Sequence, residues 1–133
     1  QDANNGETAW LIVKAWLTKK NEEGYNVDIQ TLNEYFDPNK CNSYYRGGKW
    51  LKKLFYLYRE DGEYTADGTE SEGQVIYAGV WDFYKPQNDD DSKFQFELKD
   101  GTKVIMLKMW RKDNLKELYE HVKGEGIDVQ PAL

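Results

Sequence analysis

The chain has one cysteine, Cys41, and one histidine, His121. A thiolate beside an imidazole can run nucleophilic catalysis, with the base taking the thiol proton and a third group orienting the base. His121 falls in a stretch with helical periodicity, and Glu117 and Glu120 are its helical neighbours. Cys41 is the only thiol that could partner it. The plainer reading makes Cys41 a partly buried thiol without a chemical role and His121 a solvated side chain on a helix face. The plainer reading is adopted, and no catalytic residue is assigned. A single cysteine also rules out an intrachain disulfide and a thiolate metal cluster.

Carboxylates gather in two places. Asn88–Asp91 reads "NDDD", which could offer oxygen ligands to a hard cation. A calcium loop of the helix–loop–helix kind needs glycine at its sixth position, and counting from Asp89 that position is Phe94. Glu60, Asp61 and Glu63 surround a tight turn, where carboxylates face water rather than one another across a cleft. No metal site and no cofactor are expected.

The remaining candidates are aromatic. In "IYAGVWDFY", Tyr77, Gly79, Trp81 and Phe83 share one face of an extended chain. Together with Trp16, Tyr56 and Phe96 they could line an interior and hold a small apolar or aromatic ligand, because Trp and Tyr offer flat apolar faces with polar tips. The same side chains could equally fill that interior as a core. The ligand-binding candidates are therefore Trp16, Tyr56, Tyr77, Trp81, Phe83 and Phe96.

Elements that would position these residues can be read from the period of the apolar residues. In Trp10–Lys19, "WLIVKAWLTK", Leu11, Val13, Ala15 and Leu17 alternate, which predicts a strand, although Trp10, Val13 and Leu17 also fit a helical stripe. "NEEGYN" comes next with Gly24 at its centre, which favours a turn and then a second strand in "YNVDIQTL". Pro38 ends any short helical turn in "TLNEYFDPNK" by pushing Asp37 out of the helical region. Strands are expected in "KWLKKLFYLYRE", in "QVIYAGVWDFY", in "KFQFELK" and in "TKVIMLKMW". Asp61-Gly62 and Asp100-Gly101 mark tight hairpins, since glycine adopts positive φ freely. Leu115, Leu118, Tyr119 and Val122 then fall on a helical stripe, predicting a helix over about 113–123. A last short strand through Ile127 and Val129 is a further expectation.

An antiparallel sheet with one apolar face must be covered. One helix of about three turns is too short to cover about eight strands, so the sheet is expected to close on itself as an up-and-down barrel. The expected class is thus mainly β: a lipocalin-like antiparallel barrel with a C-terminal helix, with a two-sheet β-sandwich as the alternative. Residues 1–8 read as a flexible linker, and 9–133 as a single domain.

The run from Phe55 to Tyr119 resembles the lipocalin-like domains of small bacterial surface lipoproteins. Tyr58, Asp61, Gly62 and Tyr64 match their first hairpin, and Tyr77, Gly79, Trp81 and Phe83 match their "Y-x-G-x-W-x-F" strand. Asp100 and Gly101 match their closing hairpin, and Leu107 and Leu115 match the final strand and its exit. The resemblance implies a barrel, export, and a periplasmic or outer-surface location as a lipoprotein of the cell envelope. It also implies that any membrane contact comes through a lipid anchor upstream of Gln1.

Composition agrees with a folded domain: 15% aromatic and 32% charged residues. A net charge of -6 disfavours nucleic acid, which calls for a basic face. The expected function is therefore a non-enzymatic, monomeric, exported domain that holds a small apolar ligand inside the barrel. The alternative is a protein- or glycan-interaction module with a filled interior and with Trp10, Tyr44, Tyr45 and Trp50 exposed together.

Overall fold

The computed structural model describes residues 5–42, 53–59, 75–77, 83–84 and 92–124. Among the described residues there are four helices: α1 (Asn5–Glu22), α2 (Ile29–Tyr35), α3 (Pro38–Cys41) and α4 (Lys112–Lys123). Four short strands accompany them among the same residues: β1 (Phe55–Arg59), β2 (Val75–Tyr77), β3 (Phe96–Glu97) and β4 (Lys103–Met106).

The first helix overturns the expected strand at Trp10–Lys19. Ala9, Ile12, Val13, Trp16 and Leu17 are all buried, and their spacing of three and four places them along one side of a helix. Leu11 belongs to the alternating set that predicted a strand, yet it is 52% exposed. Residues 5–8, read from sequence as linker, are the first turn of α1. Gly24 is indeed at a chain reversal, but it ends a helix rather than joining two strands. It takes φ of +91°, Tyr25 N–H donates to the Lys20 carbonyl and Gly24 N–H to that of Asn21. Those two bonds are the Schellman arrangement of a helix C-terminus. The strand expected in "YNVDIQTL" is replaced by α2, because Asp28 caps it: its carboxylate accepts from Thr31 N–H at 2.8 Å. That bond also holds the Asp28 carboxyl below its usual range. Pro38 does stop α2, and it then occupies the first turn of α3, where a missing N–H is harmless.

The mainly-β barrel is therefore not the fold, and neither is the β-sandwich. The described residues form a mixed α and β structure around one open sheet of order β2-β1-β4-β3. The β1–β4–β3 part is antiparallel, with Phe55 opposite Met106 and Phe96 opposite Val104. β2 joins β1 in parallel, Leu57 opposite Val75. An up-and-down barrel is antiparallel throughout and has no edges, whereas strands of two to five residues leave β2 and β3 as the ends of the row. Helices do the covering that closure was expected to do. α1 and α3 pack on α4, and α2 packs on β1. Val104, Ile105 and Met106 are successively buried, so both faces of β4 are covered.

Asn33 finishes the edge of β1. Its side-chain amide donates to the Phe55 carbonyl at 3.0 Å, and its oxygen accepts from Phe55 N–H at 3.1 Å. The amide thus stands in for a neighbouring strand two residues before β2 takes over at Leu57. Asn33→Ala leaves both backbone groups unpaired and is expected to cost about 2 kcal/mol, with Asn33→Asp in between because it keeps the acceptor. Urea titration of the three proteins measures this. Equal midpoints would remove Asn33 from the edge-pairing role.

Several local readings hold. The final helix spans Lys112–Lys123 against an expected 113–123, with Leu115, Leu118 and Val122 buried. Asp113 is not its cap, since Arg111 precedes the first turn, but the Asp113 carboxylate accepts from Asn114 N–H at 3.0 Å. Asp100-Gly101 does form a tight turn. Gly101 has φ of +87°, Leu98 N–H donates to the Thr102 carbonyl, and the three residues between fit a hairpin loop with a left-handed last residue. Phe94, Phe96 and Leu98 are buried while Lys93, Glu97 and Lys99 are not, as the alternation of "KFQFELK" predicts.

Candidate functional site

The two side chains with catalytic chemistry sit where α2 and α3 meet α4. Cys41 ends α3 and is fully buried. Its Sγ–H donates to the Asp37 carbonyl at 3.4 Å. Burial is the main cause that pushes this thiol up to about 12, and the nearby charges of Asp37 and Glu117 add to it against Lys40. A nucleophilic cysteine needs the opposite, an electropositive surrounding that favours thiolate.

His121 is not solvated on a helix face. Its Nε2–H donates to the Tyr35 carbonyl at 2.6 Å, and the Tyr35 hydroxyl donates to the His121 carbonyl at 3.1 Å. The two rings lie 4.3 Å apart. Residues 35 and 121 therefore form a reciprocal clasp between the ends of α2 and α4. The Tyr35 carbonyl belongs to the last turn of α2, which lacks partners within its own helix. The imidazole satisfies that acceptor. With Cys41 bonded to Asp37 and His121 to Tyr35, each is engaged by backbone rather than by the other.

Around the clasp the aromatic residues pack on one another. Trp16 stacks on Tyr35 at 4.7 Å and meets Phe36 edge-on at 5.1 Å. Phe36 also faces Phe55 at 5.7 Å and His121 at 6.0 Å. A second group surrounds Trp10: Phe96 lies against its ring at 5.7 Å, Phe94 meets it edge-on at 5.3 Å, and Lys14 Nζ sits 4.8 Å from its centre. The Trp10 indole donates to the Gln95 carbonyl at 3.3 Å.

Of the six sequence candidates, Trp16, Tyr56, Phe83 and Phe96 are between 2% and 4% exposed and belong to one hydrophobic core. Trp16 reaches it from α1 and not from a barrel strand. Tyr56 and Phe83 meet edge-on at 5.4 Å, and Phe83 bridges to Leu107. Tyr77 lies on β2 opposite Arg59. Trp81 falls outside the described residues, as do Tyr44, Tyr45, Trp50, Glu60–Glu63, Asn88–Asp91 and the tail with Ile127 and Val129. Trp10 is half-buried.

No protein-family model, no curated protein and no solved structure matches the chain.

Among the described residues no group of histidine, cysteine and carboxylate side chains could hold a metal ion. No described helix is long and apolar enough to cross a membrane. Sequence reasoning missed Asn33, Tyr35 and Phe36. A signal was present for the segment that carries them: Asp28 followed by Ile29, Leu32 and Phe36 is a cap and then a helical apolar spacing.

Proposed function

We propose that this chain is a non-enzymatic interaction domain that engages another protein through its outer surface. The observation that carries it is the placement of the aromatic side chains. Trp16, Tyr56, Phe83 and Phe96 are packed into one core, so recognition falls to the outside. There, Leu11, Tyr25 and Met109 are each more than half exposed. Exposed apolar side chains of that kind, two aliphatic and one aromatic, suit a protein partner. Trp10, the natural platform for a sugar, has Phe96 on its ring and Lys14 over it. The commitment of Cys41 and His121 to helix contacts supports the non-enzymatic half. A ligand held inside a barrel is not proposed, because the described strands form an open sheet and not a barrel. An envelope location drew on the resemblance to barrel-forming lipoproteins, and the fold lends it no support.

The test uses the full chain immobilised in extract from its source. One protein is expected to be captured by the wild type and by Thr18→Glu, and lost by at least about tenfold from Leu11→Glu and Met109→Glu. Equal capture by all four would overturn the outer-surface reading. In parallel, a tryptophan-fluorescence titration with fatty acids, haem and flat aromatic compounds is expected to show no saturation. Saturation at one ligand per chain would instead restore an interior site.

A further inference from the structure

We draw no further inference here: the strongest candidate, the buried Cys41–Asn42 corner at the end of α3, where the Asn42 amide has no hydrogen-bond partner among the described residues, carries nothing because nothing in the structure shows what covers it.

Discussion

Replacing Phe36 with alanine is expected to lower stability by about 4 kcal/mol, a large share of what holds a domain of this size folded. Phe36 is fully buried and joins four elements at one point. It comes directly after α2, meets Trp16 of α1 edge-on, faces Phe55 of β1 and lies against His121 of α4. Truncation removes the ring from all of them at once and leaves a cavity whose walls are held by helices and cannot easily collapse. Phe36→Leu keeps most of the volume and is expected to cost about 1.5 kcal/mol. Urea unfolding gives both values. Pairing Phe36→Ala with Trp16→Ala in a double-mutant cycle is expected to show a coupling of about 1 kcal/mol for the edge-on contact. Additive effects would mean that the two rings stabilise the fold independently, and a loss near 1 kcal/mol for Phe36→Ala would place the junction elsewhere.

The second large effect concerns alkaline pH. Folding raises the Cys41 thiol from an ordinary 9.0 to about 12. The folded state thus favours the thiol, and the unfolded chain favours thiolate once the pH passes 9.0. The stability contributed by keeping the proton is fully present below that value and is lost as pH rises from there through about 12. Over the whole interval the loss is on the order of 4 kcal/mol, and by about pH 10 it is about 1.4 kcal/mol. Lysines and tyrosines titrate nearby, so the informative quantity is a difference. Wild type is expected to lose about 1.4 kcal/mol more than Cys41→Ala between about pH 7 and about pH 10, measured as urea midpoints. Parallel losses in the two proteins would sink the assignment. Iodoacetamide at about pH 8 is expected to label Cys41 at least about a hundredfold more slowly in the native protein than in urea, since both burial and protonation oppose attack. Fast native labelling would show a reactive thiol and reopen the enzyme reading.

Some of the fold was legible because its causes are local. Leu115, Leu118, Tyr119 and Val122 repeat at helical spacing without competing alternation, and that helix starts at Lys112, one residue before the expected position. Gly24 and Gly101 each marked a turn, and both take positive φ. What each glycine terminates was a separate matter. The same backbone angle closes a hairpin at Gly101 and a helix at Gly24, and only the state of the preceding residues distinguishes them. That state was ambiguous in "WLIVKAWLTK", where strand alternation and a helical stripe shared Val13 and Leu17. The helical set becomes complete only when Ala9, Ile12 and Trp16 are added, and all three are buried.

The aromatic residues and the two catalytic-type side chains show the same division. Trp16, Tyr56, Phe83 and Phe96 share one interior, as their bulk suggests, but the architecture of that interior was not legible in them. The sheet stays open because helices α1 and α2 take up apolar surface that a barrel would have buried by closing. Nor could spacing reveal the clasp of Tyr35 and His121, which lie 86 residues apart. By itself the chain determined the turns at Gly24 and Gly101, its final helix and much of which described residues avoid water, since those come from side-chain size, backbone freedom and short-range period. The tertiary structure alone decided whether an ambiguous segment became strand or helix and what Cys41 and His121 do. Both outcomes depend on contacts between segments distant in sequence, and burial there sets the protonation of the thiol and the partner of the imidazole.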